Sequence, residues 1–277
     1  MACLLVVLGA TPGLAASLAY VEASSEFDDG APATYGYNLV DGNENTRWCN
    51  KPSAMASAPE VVFGFAQVVT LKEVAIVAGA IKGGVIDKQR ARARQVTLSD
   101  GRIEVTLPLR DTAELQTLKL TSPLQARMFV LRVQDTYAGA PGAPTCVAEV
   151  QLRGAQAYTG GAIGAQVRAL PSPARRLLHA WVDEVSAPER SLVLAVDGTF
   201  AYDYSPLIEG KPVKVRGRWR ANQRTLTLEV AGKTYALSKV LSAIEAEDTR
   251  REQLTLSGDA PHASMNASFV IAPPVLE

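Results

Sequence analysis

Residues 38–49 have the sequence NLVDGNENTRWC, a loop-like stretch that leads into a Trp-Cys pair. Asp41, Asn43 and Thr46 place hard oxygen donors within one tight loop, which Gly42 opens. Calcium takes oxygen donors of this kind, although one loop supplies too few of them for a complete site. The same residues also fit an Asx-turn, in which Asp41 caps its own backbone without a metal. We keep both interpretations, with Ca²⁺ as a structural cofactor in the first.

The N-terminus is typical of a secretion signal. Residues 3–8 form an uncharged apolar run, and the small-residue stretch 15–19 offers cleavage points after Ala15 or Ala19. A buried first strand or helix is the alternative. No later segment has the roughly 18 consecutive apolar residues that a membrane-spanning helix needs. We therefore expect a leader over residues 1–19 and a secreted or periplasmic protein without a transmembrane segment.

The cysteines support an oxidising compartment. Removal of the leader would take Cys3 with it and leave Cys49 and Cys146, which lie 97 residues apart. An even number of cysteines in an exported chain predicts a disulfide. Closing a loop of this length would stabilise the fold by roughly 4 to 5 kcal/mol on the chain-entropy model. Two free buried thiols remain the alternative, and zinc is not expected because no nearby His or Cys completes a site.

The first half of the chain has the pattern of short strands separated by turns. Asp100 and Gly101 form a hairpin turn between two of these runs. None of the runs continues at a helical period, so the pattern predicts an all-β sandwich or barrel. The apolar or alternating runs are residues 60–65, 73–77, 95–98, 103–107, 128–133 and 147–152.

The second half predicts a separate small barrel. Residues 154–173 are rich in Gly, Ala and Pro and have few large apolar side chains that could pack in a core. This composition predicts a linker over 155–174. Beyond it, residues 213–220 (VKVRGRWR) alternate between small or apolar and basic side chains, as in a strand with one buried and one solvent-exposed face. Seven or eight such strands over 175–277 predict an antiparallel up-and-down barrel. The motifs DGTF, GRW and LTLEV are similar to those of small lipocalin-like domains.

The first half also resembles a known family. The NLVDGNENTRWC stretch and the segment TCVAEVQL at 145–152 resemble the two ends of a discoidin (coagulation-factor C-type, galactose-binding-like) domain. In particular they resemble the glycan-binding branch named for the translocation domain of a secreted NAD glycohydrolase. The resemblance implies a jelly-roll sandwich over residues 20–154 that binds glycans. It also implies that a backbone carbonyl near Asn38 and the carboxylate of Glu149 complete the calcium shell.

Candidate ligand-binding residues lie in loops and at the start of one strand. Tyr35, Tyr37 and Tyr137 sit among small residues and are candidates for sugar stacking, although tyrosines in such places often cover a sheet edge instead. Trp48, beside a cysteine, is expected in the core.

Basic residues give a second set of candidates. At period two, Arg90, Arg92 and Arg94 share one face of a strand, and with Lys82 they suit an acidic glycan. A solvated outer face is the alternative. In the family, Asn-Gly-Tyr and Asn-Asn-Arg motifs are typical, and of these only Gly79 and Arg90 are present here.

Composition and motifs argue against other functions. The chain has 28 basic and 28 acidic residues, so nothing favours nucleic acid as a partner. The two histidines, His179 and His262, belong to no catalytic motif, and we expect no catalytic residues. The sequence thus predicts an exported, non-catalytic carbohydrate-binding protein. The alternatives are a carrier with an apolar ligand inside the barrel, which inward Trp219, Phe200 and Leu228 would refute, and an envelope adaptor that binds another protein.

Overall fold

A computed structural model describes residues 18–27, 35–52, 58–183, 189–206, 210–246 and 249–271. The predicted leader lies outside these residues, except for Leu18 and Ala19. Both are buried in the first strand, β1. Within the described residues, no helix is long and apolar enough to cross a membrane.

The first domain is a curled, sandwich-like sheet, as the strand pattern predicts. Its strands are β1 (Leu18–Ala23), β2 (Trp48–Cys49), β3 (Glu60–Val77), β6 (Ala91–Ser99), β7 (Glu104–Pro108), β8 (Gln116–Tyr137), β9 (Thr145–Val147) and β10 (Glu149–Arg153). Two further strands, β4 (Ile81–Lys82) and β5 (Val85–Ile86), form a small separate hairpin. A 3-10 helix covers Gly36–Val40.

The sheet has the order β1-β3-β8-β6-β9-β2, with β10 beside β3 and β7 beside β6. All of these pairs are antiparallel except β6 with β9. The turn at Asp100 and Gly101 joins β6 to β7, as predicted, and Gly101 has the positive φ of 90° that favours glycine there.

The long strands β3 and β8 bend, which lets a single sheet cover both sides of the core. The register of β3 against β8 shifts between Gly64 and Val69. Before the shift, β3 pairs with β1, and after it β3 pairs with β10. The ring of Tyr20 packs directly on Gly64, because a Cβ there would lie 2.1 Å from the ring and would displace it.

Residues 154–173 are more ordered than a linker with little to pack. They contain helix α1 (Gly161–Ala169) and the start of helix α2 (Ser172–Arg175). Tyr158, Thr159 and Val167 are buried, and the Thr159 hydroxyl donates to the carbonyl of Val150 at 2.8 Å. We call residues 155–175 the connector; it packs against the first domain rather than spanning open solvent.

The second domain is a closed barrel of eight strands in sequential order, as predicted. The strands are β11 (Ala180–Val182), β12 (Arg190–Leu194), β13 (Thr199–Tyr204), β14 (Val213–Ala221), β15 (Thr225–Val230), β16 (Lys233–Ala246), β17 (Thr249–Gly258) and β18 (Ser268–Ile271). Phe200, Trp219 and Leu228 are all buried in its core, and the Trp219 indole donates to the carbonyl of Ala195 at 2.9 Å. This filled interior argues against the carrier alternative.

Candidate functional site

The predicted disulfide is present. Cys49 and Cys146 are direct partners on the adjacent strands β2 and β9, and their sulfurs are bonded. Trp48 is fully buried beside them, as expected, and its indole donates to the carbonyl of Ser25 at 2.8 Å. The bridge therefore fixes the end of the 38–49 stretch to the strand that leads to Glu149.

The loop after the 3-10 helix is organised by Asp41. One carboxylate oxygen accepts hydrogen bonds from the Asn43 amide at 2.9 Å and the Thr46 hydroxyl at 3.0 Å. This is the Asx-turn of the alternative interpretation. Asp41 is only 2% exposed, and burial raises its pKa while the bonds from Thr46 and Asn43 oppose the rise.

Glu149 faces the same loop from β10. It is fully buried, and one oxygen accepts a hydrogen bond from the Gly42 amide at 3.2 Å. Its other oxygen, Oε1, has no hydrogen-bond partner of good geometry among the described residues, although the Gln151 side chain lies close enough to oppose the rise in the pKa of Glu149. Burial, reinforced by the negative charge of Asp41, raises the pKa of Glu149 to about 8.

The donors at this loop fit a calcium ion. A buried carboxylate oxygen without a partner is unfavourable, and a cation would satisfy it. Asp41, Thr46 and Glu149 would hold the ion, which would neutralise the two carboxylates. No three His, Cys, Asp or Glu side chains gather in the described part of the chain, so the remaining donors would be neutral oxygens.

Two of the predicted metal ligands have other partners. The Asn38 side-chain amide donates to the carbonyl of Arg47 at 2.9 Å. The Asn43 side-chain oxygen accepts from the Asn45 amide at 3.2 Å, which makes a second small turn. These bonds involve only the side chains of Asn38 and Asn43, and the backbone carbonyl near Asn38 stays a predicted ligand.

A residue of the connector also reaches this loop. Arg168 of α1 donates a hydrogen bond to the backbone carbonyl of Asp41. Arg168 was not predicted as a site residue, since nothing in a Gly- and Ala-rich stretch indicates a partner far away in the chain. The only available signal was its position four residues after Gly164, on the same side of a helix.

Arg92 does not form the predicted exposed ladder. It is 4% exposed, and its guanidinium donates to the carbonyl of Arg90 at 3.0 Å and to that of Ala138. It also binds the carboxylate of Asp111 through two nitrogens. Arg90 precedes β6, and only Arg94 of the three is exposed on the strand. Arg92 is thus an internal clamp, unsuited to direct contact with a ligand.

The clamp brings three loops together at one end of the sandwich. We define the loop end as residues 79–90, 109–115 and 138–144. Tyr137 borders it: its hydroxyl donates to the carbonyl of Leu109 at 2.9 Å, and its ring lies 5.9 Å from the Arg92 guanidinium carbon. Lys82 is exposed on the hairpin of β4 and β5. Arg90 lies over the ring of Phe27, at 5.7 Å from its centroid.

Tyr35 and Tyr37 lie elsewhere, against the connector. Their rings stack on each other with centroids 5.2 Å apart, and both are half-buried. The guanidinium carbon of Arg175 lies 5.8 Å from the centroid of the Tyr37 ring. This pair is therefore occupied by contacts between the sandwich and the connector, and the structure does not join it to Lys82, Arg90 and Tyr137 at the loop end.

A sandwich with this topology, an Asp-Gly loop beside a Trp-Cys pair and a buried acid on the last strand defines a domain of the F5/8 type C (discoidin-like) class. The chain belongs to the family of the NAD glycohydrolase translocation F5/8 type C domain, whose family model matches residues 14–153, half of the chain. The predicted resemblance to an F5/8 type C domain is thereby confirmed.

Solved structures of similar domains each match about half of the chain. CpGH89CBM32-5 of Clostridium perfringens, in complex with GalNAc-β-1,3-galactose, is 17% identical with a TM-score of 0.36, covering 50% of this chain and 100% of that one. The family 32 module of C. perfringens NanJ, in complex with galactose, is 16% identical with a TM-score of 0.35, covering 50% and 98%. The F5/8 type C domain of a Bacteroides fragilis protein is 21% identical with a TM-score of 0.37, covering 53% and 98%. A comparison with curated proteins gives no match.

Proposed function

We propose that the whole protein is an exported, non-catalytic carbohydrate-binding protein of the cell envelope or extracellular space, and that it binds glycan at the loop end. The observation that carries the proposal is the Arg92 clamp within an F5/8 type C domain. A clamp that fixes several loops at once provides a preorganised surface, which lowers the entropic cost of binding.

The hydrogen bonds of the loop end support this role. Besides the Arg92 contacts, the Ala140 amide donates to the carbonyl of Gln89 at 3.0 Å, and the Asp87 amide donates to that of Ala80 at 2.8 Å. These bonds tie the 138–144 loop and the β4–β5 hairpin to the turn at residues 87–90. The loops thus form one surface although they come from distant parts of the chain.

The loop end has four basic and three acidic residues. Asp111 and Glu114 are already paired with Arg92 and Arg110, and the remaining basic residues favour an acidic glycan. Lys82 and Lys88 are exposed, and Arg90 is half-buried over Phe27. A guanidinium binds a carboxylate or sulfate with two parallel hydrogen bonds, and it also stacks on aromatic rings. We therefore expect a glycan that carries carboxylate, sulfate or phosphate groups.

Calcium has a structural role in this proposal. Asp41, Thr46 and Glu149 would hold the ion at the loop next to the Cys49–Cys146 bridge. It would stiffen that loop without contacting glycan. Chelation should then lower stability more than it lowers glycan affinity.

Glycan binding is tested with an array of neutral and acidic glycans, probed with the full disulfide-bonded chain in calcium and in chelator. The affinity for the best ligand is then compared among the wild type and the variants Lys82→Ala and Arg90→Ala. Each variant should bind about tenfold more weakly, because each loses one charged contact that contributes about 1.4 kcal/mol to binding. Lys214→Ala, an exposed lysine on the barrel strand β14, is the matched control and should bind normally. Absence of glycan binding both in calcium and in chelator would contradict the proposal and leave the adaptor alternative.

Export is tested separately. The apolar run at residues 3–8 and the disulfide support an oxidising destination. Because Leu18 and Ala19 are buried in β1, we propose cleavage after Ala15, which leaves that strand whole. N-terminal sequencing of the protein from the periplasm or medium should give Ala16 as the first residue. Recovery of uncleaved protein in the cytoplasm alone would contradict export.

A further inference from the structure

One face of helix α1 is pressed against the Asp41–Gly42 peptide. A Cβ at Gly164 would lie 2.5 Å from the carbonyl oxygen of Asp41 and 2.7 Å from the amide nitrogen of Gly42. Real Cβ atoms do not approach backbone so closely, so only glycine allows this packing. Arg168 follows one turn later on the same face and donates to the carbonyl of Asp41.

The same peptide is held from its other end by Glu149. The Gly42 amide donates to Glu149 at 3.2 Å, while the second carboxylate oxygen of Glu149 is buried without a hydrogen-bond partner of good geometry in the described part of the chain. The Asp41 carboxylate is also buried. A guanidinium and two buried carboxylates thus surround one peptide of the loop.

The positive charge of Arg168 acts on the carboxyl of Asp41. It lowers the pKa of the Asp41 carboxyl, against the rise that burial causes. A divalent cation at the same loop would be repelled by this guanidinium. It would also compete with Arg168 for the Asp41 carbonyl, a hard oxygen that accepts the hydrogen bond of the guanidinium.

We propose that Arg168 is an intramolecular cation of the Asp41 loop, and that docking of helix α1 and binding of a divalent cation oppose each other there. This inference rests on the calcium part of the proposed function. Coupling between two binding events is reciprocal: if α1 weakens cation binding, the cation loosens α1 by the same factor.

The coupling extends toward the barrel through the rest of the connector. Arg175 lies over the ring of Tyr37, and the next residue, Arg176, forms an ion pair with Glu252 of β17. A change at α1 therefore acts on a segment that contacts both domains. The concentration of a divalent cation therefore controls how tightly the connector packs against the first domain.

The test is a Ca²⁺ titration of the full disulfide-bonded chain by calorimetry. Arg168→Gln should bind Ca²⁺ about tenfold more tightly than the wild type, within the range typical of such coupling. Glu149→Gln should lose binding. Arg102→Gln, an exposed arginine in the turn after β6, is the matched control and should bind as the wild type does.

Hydrogen exchange of the wild type gives a second measurement that needs no variant. Ca²⁺ should speed exchange of the amides of residues 164–169 and slow that of residues 41–46. A calcium affinity of Arg168→Gln equal to that of the wild type, with binding still lost in Glu149→Gln, would overturn the inference and leave the calcium site standing. Calcium binding that Glu149→Gln does not change, or no binding by any variant, would overturn both.

Discussion

Arg92, which is buried, and Asp111, which is partly exposed, form a two-point ion pair between β6 and the loop that follows β7. The Arg92 Nε donates to one carboxylate oxygen at 3.0 Å, and its Nη2 donates to the other at 2.8 Å. The side chains are 5% and 25% exposed. The hydrogen bonds from Arg92 hold the pKa of Asp111 below its usual range. A buried guanidinium is tolerated here because its other donors meet backbone carbonyls.

Asp111→Asn should weaken the fold substantially. Removing the carboxylate leaves the buried charge of Arg92 with backbone carbonyls as its only acceptors, and we expect a loss of about 2 to 3 kcal/mol in the free energy of unfolding, measured by urea denaturation. Glu114→Gln is the control, because its pair with Arg110 is 3.7 Å long and both side chains are about three-quarters exposed. It should cost less than about 0.5 kcal/mol. Equal effects of the two substitutions would show that the clamp is not important for stability.

The Cys49–Cys146 bridge should stabilise the fold through the loop that it closes. The cysteines are 97 residues apart, and the double variant Cys49→Ser, Cys146→Ser should lose roughly 4 to 5 kcal/mol on the chain-entropy model. Guanidinium denaturation of both proteins measures the difference. Iodoacetamide treatment of the unreduced wild type, followed by mass spectrometry, is the control: alkylation of both cysteines would disprove the bridge.

The sequence was most informative where the chemistry is local. The alternation of residues 213–220 predicted β14 because a strand with one wet face must repeat every two residues. The Trp-Cys pair at 48–49 predicted a buried end to the Asp41 loop. Asp41, Asn43 and Thr46 lie within six residues, so both the turn and its oxygen donors were visible.

Contacts between distant residues were not predictable in this way. Period two placed Arg90, Arg92 and Arg94 on one face, but Arg90 lies before the strand and the register of β6 against β8 shifts after Ala93. The clamp depends on Asp111, which no local pattern links to Arg92. In the connector, Gly164 and Arg168 lie in a stretch with the composition of a linker. Their contact with Asp41 was not predictable because Asp41 lies more than a hundred residues earlier.

Buried His179 should make stability depend on pH. Burial lowers its pKa from 6.5 to about 4, and its Nδ1 has no hydrogen-bond partner among the described residues. Between these values the unfolded chain binds more protons than the folded one. The contribution of this residue to the free energy of unfolding is therefore complete above pH about 6.5. It decreases as pH falls toward 4, by on the order of 3 kcal/mol at most.

The measurement for His179 is the difference in unfolding free energy between the wild type and His179→Phe at several pH values. Phenylalanine does not titrate and keeps an aromatic ring beside Trp181, whose centroid is 5.4 Å from that of the histidine. The stability of the wild type relative to the variant should fall as pH is lowered from 7 to 4. A difference that does not change with pH would contradict a neutral buried histidine.

The filled barrel should bind no apolar ligand until a cavity is made in it. Leu228 is fully buried beside Phe200 and Trp219, so Leu228→Ala should cost about 2 to 5 kcal/mol by urea denaturation. The apolar cavity that it leaves should take up benzene or xenon, seen as a rise in melting temperature that the wild type does not show. Val240→Ala, on the same barrel at a side chain that is 59% exposed, should change stability by less than about 0.5 kcal/mol and create no such site. Saturable binding of an apolar ligand by the wild-type barrel would contradict the filled core and restore the carrier function, because a ligand site of that kind needs an interior that these three side chains occupy.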